Sequence, residues 1–143
     1  MLDSAKRVMS GTWGQVWLDN ELVAECYKFQ AKVNYNKEDV ALCGNMFVDK
    51  KVTSVNGTGS IGMHKINSRM GKVVGQKIRS GEDVRFTIIS KLSDPDAYGA
   101  ERVAVKNVSL DYLTLADWEA KTPGKVEVPF TFTDYEYLDM VEA

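Results

Sequence analysis

The segment that comes closest to a chemical motif is rich in glycine. Residues 57–62 have the sequence GTGSIG, which fits the glycine pattern that binds dinucleotides, and Glu82 lies about where a ribose-binding acid is expected. That site requires a helix that opens at the third glycine, inside a strand-helix-strand unit. The first helical signal begins later, at Ser68. We therefore expect these glycines to relax a hairpin or bulge rather than to bind a nucleotide.

The residues that bind metals or act as nucleophiles are few. His64 is the only histidine, so a paired-histidine metal site is excluded and a Ser-His-Asp site would have to use that residue. In a strand-like stretch, a hydrogen-bonded or exposed histidine is more common than a catalytic one. Cys26 and Cys43 lack the CxxC spacing, and we interpret them as small buried apolar residues. No cofactor and no metal site are expected.

Paired carboxylates are the remaining possibility for catalysis. Asp94 and Asp96 flank Pro95, a combination that is typical of turns, and Asp134 and Glu136 form a second pair. Such pairs occur in any chain with 20 acidic residues, so they do not indicate a glycosidase. We expect no enzyme activity.

The composition is that of one globular domain, residues 1–143, with 44% hydrophobic and 27% charged residues. The longest hydrophobic run, residues 40–43, is far shorter than the ~20 residues that span a bilayer. Because the N-terminal residues contain no apolar secretory segment, we expect the protein to be made in the cytosol, without a membrane anchor.

Charge is unevenly distributed along the chain. Residues 60–91 contain seven basic side chains against Glu82 and Asp83, whereas residues 92–143 contain eleven acidic side chains against four basic ones. Charge runs are usually solvated faces. The same polarity would suit a protein whose positive surface docks on the negative surface of an identical neighbour.

Strand patterns dominate the chain. Apolar and polar residues alternate over residues 27–35, and a hairpin is predicted to close at Asp19-Asn20, between residues 15–18 and a run that begins at Glu21. Further strands are predicted at residues 84–92, 102–108, 109–115 and 126–133. Pro129 predicts that the last of these lies at a sheet edge or beside a bulge.

One helix and one irregular segment interrupt the strands. A helix is predicted over residues 68–80, with Ser68 as its N-cap and Gly81 as its stop signal. Residues 40–59 show no clean period, so they form either a strand pair with a loose tip or a mobile arm that becomes ordered against a partner. Trp13, Trp17, Trp118 and Phe47 could anchor an interface, although a core position is the default for aromatic residues in a β protein.

Several short segments resemble a known family when they are taken together in order. They are residues 9–14 (MSGTWG), 16–19 (VWLD), 28–33 (KFQAKV), 56–60 (NGTGS), 99–103 (GAERV) and 128–132 (VPFTF). Their order resembles the tail tube proteins of contractile phage tails of the PBSX prophage type. The sequence is particularly similar to tube proteins of clostridial phages and of the R-type bacteriocins called diffocins. The resemblance covers nearly the whole chain and is loosest over residues 41–55.

The resemblance implies an antiparallel β-sandwich or barrel of the phage tail tube type, with one flanking α-helix and a long hairpin or arm. It implies self-assembly into stacked hexameric rings that form a channel for DNA, which passes without specific binding, or for ions. The implied partners are the tail sheath, the tape-measure protein, the baseplate and the tail terminator. The protein would lie in the host cytoplasm during assembly and then in the virion or bacteriocin particle.

Subunit contacts are expected at the arm, the segment around Trp13 and the helix. The candidate residues are Trp13, Trp17, Met46, Phe47, Val48, Lys50, Lys51, Val52, Arg69, Lys72 and Arg79. The main alternative is a monomeric β-barrel that binds a small ligand, which would contain a closed apolar cavity. An enzyme is the third alternative.

Overall fold

The computed structural model describes residues 4–66, 68 and 71–142. Within these residues there are eight strands: β1 (Gly14–Leu18), β2 (Glu21–Leu22), β3 (Cys26–Val40), β4 (Asp49–His64), β5 (Phe86–Leu92), β6 (Glu101–Leu110), β7 (Lys125–Phe132) and β8 (Asp134–Asp139). Two 3₁₀ turns, Ala5–Arg7 and Gly11–Trp13, precede β1. A π-helical turn, Gly71–Gly75, continues into the short helix α1 (Gln76–Arg79).

The strands form one continuous open sheet whose order is β2-β1-β5-β6-β7-β4-β3, with β8 added beside β6. Every pairing is antiparallel. The predicted fold class, mainly antiparallel β with a flanking helix, is confirmed.

The long strand β6 joins two halves of this sheet. One half contains β2, β1, β5 and β8, and the other contains β7, β4 and β3. The first part of β6 pairs with β5 on one side and β8 on the other, and Ser109 and Leu110 pair with β7. The register shifts near Asn107, which has a positive φ of 57° and donates from its side-chain amide to the Thr133 hydroxyl at 2.8 Å. Asn tolerates this backbone region better than most residues do. The resulting bulge bends the sheet, as bulges commonly do.

Side chains from both halves of the sheet share one core. Its members are Val16, Leu18, Val23, Ile61, Met63, Val74, Phe86, Ile88, Val105, Val108, Val128, Phe130 and Phe132. The helical segment contributes Val74, so it flanks the sheet as expected.

The glycine-rich segment lies inside β4 and packs against aromatic rings. A Cβ atom on Gly57 would overlap the Phe132 ring, and one on Gly59 would lie 2.6 Å from Phe130 Cζ. The register of β4 against β3 shifts beside Gly62, since Cys26 pairs with Met63 and Lys28 pairs with Gly62, and it shifts again near Asn36. The prediction of a bulge is therefore correct at the Gly62 end of residues 57–62, the prediction of a hairpin is wrong, and Gly57 and Gly59 make room for the core rings.

The hairpin at Asp19-Asn20 is present but short. Both turn residues have positive φ, 47° and 70°, as expected for a tight hairpin turn. Strand β2 contains only two residues, however, and β3 pairs with β4 instead of extending this hairpin. Strand β1 is held on its other side by β5, and Asp19 exchanges hydrogen bonds with the backbone of Thr87. The prediction of a long hairpin at this position is wrong.

Two further strand predictions differ from the structure. Residues 102–108 and 109–110 form one strand, and the chain after Leu110 leaves the sheet. Strand β7 lies between β4 and β6 rather than at an edge. Pro129 is tolerated because it lies where the pairing with β6 ends, so the ladder needs no N–H from it. Its carbonyl accepts a hydrogen bond from Asp111 N.

The predicted helix over residues 68–80 is described in part. Lys72 N donates to Ser68 O at 3.0 Å, and Gly81 follows the last turn with a positive φ of 84°. Arg69 and Met70 lie outside the described residues. Among the described helices, none has both the length and the apolar character that a membrane span requires.

Candidate assembly surfaces

The distal half of the β3–β4 hairpin is an arm. Beyond the pair Val33–Gly57, the two strands pair only with each other, as far as the pair Val40–Asp49. The length of this segment is roughly 24 Å at about 3.4 Å per residue. Almost every side chain of its strands is exposed beyond Tyr35. The strand pair considered for residues 40–59 is present, since β4 begins at Asp49 and pairs with β3. The tip comprises residues 41–48.

The two faces of the arm differ in chemistry. On one face, the Asn36 amide donates to the Ser54 hydroxyl at 3.0 Å and to Asn56 Oδ1 at 3.3 Å. On the other face, Tyr35 lies opposite Val55, and they are 65% and 57% exposed. The side-chain hydrogen bonds stabilise the polar face within the chain, whereas the apolar face is left to solvent.

The tip exposes a compact set of apolar side chains. Met46 is 100% exposed and Phe47 86% exposed, Val48 follows them directly, and Leu42, at the start of the tip, is also exposed. Gly44 has a positive φ, and the Phe47 N–H donates to Asn45 Oδ1, so the tip is an ordered turn. Contiguous apolar exposure of this kind is typical of interaction surfaces.

A second apolar surface lies at the opposite end of the same ladder. It belongs to the loop 111–124, where Leu115 is 86% exposed and Trp118 84% exposed. The loop is fixed at the end of β4, since Lys65 N donates to Gly124 O at 2.8 Å. Asp117 and Glu119 flank the indole. A core position for Trp118 is therefore wrong.

The two halves of the sheet leave a groove open along one side. It has a volume of about 420 Å³ and lies between Phe29, Val33 and Tyr35 of β3 and the Tyr135 and Tyr137 side chains of β8. Both strands are edges of the sheet in the described residues: β3 pairs with β4, and β8 pairs with β6. Long unpaired edges are where a further strand can add.

The candidate contact residues fall into three separate regions. Met46, Phe47, Val48, Lys50, Lys51 and Val52 lie on the arm, and all are exposed. Trp13 is the last residue of the 3₁₀ turn before β1 and is 49% exposed, and Trp17 lies within β1 and is half-buried. Lys72 and Arg79 lie exposed on the helical segment, which reaches the loop 111–124 where Gly75 approaches Leu113.

The remaining candidate chemical groups have structural positions. His64 is exposed at the end of β4, as predicted, with its ring centroid 4.9 Å from that of Tyr27. Asp94 forms the predicted turn: Oδ1 accepts from Asp96 N, and Oδ2 accepts from Ser10 N. Asp94 thereby also holds the segment that leads into β1.

The cysteines differ from each other in their surroundings. Cys43 is exposed at the tip of the arm, so the prediction that it is buried is wrong. Cys26 is half-buried, and burial raises the pKa of its thiol. A backbone hydrogen bond at Lys28 lowers that pKa and the charge of Glu25 raises it further, both by less than burial does.

Sequence patterns allowed Trp118 to be an interface anchor, but they did not identify Leu115, Tyr135 and Tyr137 as surface residues. One signal was available for the loop, because Trp118 lies between Asp117 and Glu119 in the sequence. For Tyr135 and Tyr137, the alternation with Asp134 and Glu136 indicates a strand but not that both of its faces are exposed.

Comparison with known proteins gives a consistent result. A family model described as "Phage tail tube protein" matches residues 2–139. The chain is 32% identical over 134 residues to the phage-like element PBSX protein XkdM of Bacillus subtilis (strain 168), covering 92% of this chain and 91% of XkdM. It is 30% identical over 141 residues to the uncharacterized protein YqbM of the same strain, covering 97% and 96%.

A solved structure resembles the fold at low sequence identity. It is the sheath/tube terminator of an extracellular contractile injection system, PVC, in its extended state. The TM-score is 0.73 at 10% identity, over 95% of this chain and 100% of the terminator chain. At that identity, the likeness shows a shared fold.

Proposed function

The chain belongs to the phage tail tube protein family, and we propose that it is the subunit of the inner tube of a contractile phage tail or phage-tail-like bacteriocin. The subunits assemble into hexameric rings, and the rings stack around a channel for DNA or ions. The observation that carries the proposal is the β3–β4 arm, whose tip exposes Met46 and Phe47 almost completely. An isolated subunit gains nothing from such a surface, whereas an assembled one buries it.

Contacts within a ring use the unpaired edges. Strand β3 offers a 15-residue edge, and β8 lies across the open groove with Tyr135 and Tyr137 half-exposed. A strand edge of one copy that pairs with the other edge of its neighbour makes a heterologous contact, and such contacts close into rings when the rotation fits. The groove between the edges would then be covered by the neighbouring subunit.

Contacts between rings use the arm and the helical segment. Met46, Phe47, Val48, Lys50, Lys51 and Val52 supply the arm side of this interface. The other proposed contact residues are Lys72 and Arg79 on the helical segment, Arg69, which lies outside the described residues, and Trp13 and Trp17 next to and within β1. The exposure of Lys72 and Arg79 supports their part in the proposal, since long basic side chains can bridge to a partner while their stems cover apolar surface.

The tube is built in the host cytoplasm and then becomes part of the particle. We place a sheath around it, a tape-measure protein inside it during assembly, and baseplate and terminator proteins at its ends. DNA passes through the lumen without specific binding, because phosphate binding requires clustered Lys and Arg, whereas the chain has a net charge of −2.

The test is negative-stain electron microscopy of the purified protein over a wide range of concentrations, with light scattering on the same samples. Annular particles or tubes with a central hole are expected, with scattering that rises with concentration. Where assembly needs an initiator, co-expression with the neighbouring tail genes supplies it. A protein that stays monomeric alone and enters no particle with those genes would contradict the proposal.

A further inference from the structure

We propose that the tip of the arm in one subunit docks on the loop 111–124 of a subunit in the next ring, with Phe47 and Met46 packed against Leu115 and Trp118. This inference rests on the proposed function and adds the identity of the surface that receives the arm. The occupant of the loop surface is therefore a second copy of this chain.

The two surfaces are matched in chemistry. Each contains apolar side chains that are more than four-fifths exposed: Met46 and Phe47 at the tip, and Leu115 and Trp118 on the loop. Neither set packs into the core of its own subunit. Aromatic residues, Met and Leu of this kind are what interface centres bury.

The two surfaces cannot meet within one subunit. The tip precedes Asp49, at one end of β4, and the loop is attached to His64 and Lys65, at the other end. Strand β4 has 16 residues, so about 50 Å separate its ends at about 3.4 Å per residue. A contact between the tip and the loop must therefore join two copies that follow each other along the direction of the hairpin.

The area is of the right order for an interface. Leu42 and Val48 extend the tip, and Ile66, which is 70% exposed, lies next to Lys65 at the receiving end. With roughly 100–200 Å² for each large apolar side chain, the two surfaces together offer on the order of 1,000 Å². This is close to the lower limit of about 1,200 Å² for a specific interface, and every subunit of a ring repeats the contact.

The charges next to the apolar residues are complementary. Asp117 and Glu119 flank Trp118 in the sequence, and Val48 is followed by Asp49 and then by Lys50 and Lys51 at the base of the tip. Lys50 already pairs with Asp39 at 3.4 Å, an exposed pair that can be exchanged at little cost. Complementary charges at the rim of an interface mainly fix orientation.

The native Cys43 makes the contact testable, because it is an exposed thiol within the tip. The test variant carries Ala116→Cys, between Leu115 and Trp118, in a Cys26→Ser background. A short bis-maleimide is used, since a disulfide would require Cα atoms within ~7 Å. After assembly, we expect covalent dimers and longer ladders on a denaturing gel. At concentrations too low for assembly, we expect at least a tenfold smaller cross-linked fraction.

Two matched controls are built into the chain. Adding Cys43→Ser to the test variant must abolish the ladder. Moving the new thiol to Gly99, an open position with an ordinary backbone in another loop, must give no ladder in the same assemblies. Tubes that form without cross-links between residues 43 and 116, or with equal cross-linking from Gly99→Cys, would overturn this inference while leaving the proposed function intact. A protein that forms no assembly under any condition would contradict both.

Discussion

Gly59 of β4 lies between Ala31 of β3 and Phe130 of β7. A Cβ atom at this position would overlap the backbone oxygen of Gln30 and lie 2.6 Å from Phe130 Cζ. We expect Gly59→Ala to lower the free energy of unfolding by about 2 kcal/mol, because backbone and ring must both shift. Urea unfolding of the monomer measures this change. The matched control is Gly99→Ala, where nothing lies within 4 Å, and it should stay within about 0.5 kcal/mol of wild type. Equal effects of the two substitutions would contradict the packing argument.

The two thiols should differ in reactivity. Cys43 is exposed, whereas burial raises the pKa of Cys26 above its ordinary value of 9.0. Since the thiolate is the reactive form, we expect a disulfide reagent at pH 8 to modify Cys43 at least tenfold faster than Cys26. The colour that the disulfide reagent releases should appear in two kinetic phases, and single Cys→Ser variants assign each phase to Cys43 or Cys26. Similar rates for both thiols would contradict the structure around Cys26.

The raised pKa of Cys26 also makes the stability of the native state depend on pH. In the unfolded chain the thiol ionises near 9.0, before it does in the folded protein. The native state therefore loses stability as the pH rises from about 9 through the raised pKa, and Cys26→Ser should remove this part of the alkaline loss.

At the scale of elements, we expect the tip of the arm to contribute to assembly and not to the stability of the monomer. Its tip contributes no side chain to the core, so we expect Phe47→Ser to leave the urea midpoint of the monomer unchanged. The same substitution should raise the concentration required for assembly at least tenfold, because the tip loses its central apolar contact. Light scattering over a dilution series measures this. Gly99→Ser, at an open position in another loop, is the control and should alter neither quantity. A large loss of monomer stability in Phe47→Ser would show that the arm belongs to the fold of the subunit itself.

Sequence periodicity predicted β3 where the strand faces a core and failed where it does not. Phe29 and Val33 alternate with polar residues because one face of β3 packs on the core cluster. Beyond Tyr35 both faces of the arm meet solvent, so nothing in the subunit selects an alternating pattern. Only the backbone pairing in the structure identifies these residues as strands.

For a related reason, the sequence could not predict which aromatic residues are buried and which are exposed. Trp118 and Phe47 have the hydropathy of core residues, and an interface selects the same residue types as a core does. Which of them is buried within one copy depends on contacts that are distant in sequence, such as the bend at Asn107. The resemblance of segments predicted the fold class, whereas the sites needed the structure.

At the scale of the whole molecule, two complementary surfaces at opposite ends predict growth without closure along the tube. A Trp118→Ser subunit retains the tip and loses the receiving surface, and a Phe47→Ser subunit is the reverse. We therefore expect either variant, added to wild type at about one part in ten, to shorten the tubes seen by electron microscopy. The variants should cap opposite ends, so tubes capped by one still extend when wild type is added to the other end. Incorporation without any change in length would contradict this polarity.

The path of β6 has a mechanical consequence. The strand is hydrogen-bonded to β5, β8 and β7, and it turns from one half of the sheet to the other at Asn107. A force that pulls the two halves apart along β6 would have to shear several backbone hydrogen bonds at the same time, rather than open them one by one. Load applied to the arm would enter β4 and pass through β7 to the rest of the subunit along two paths, the end of β6 and the shared core. Of these two paths, only the one through β6 crosses the turn at Asn107.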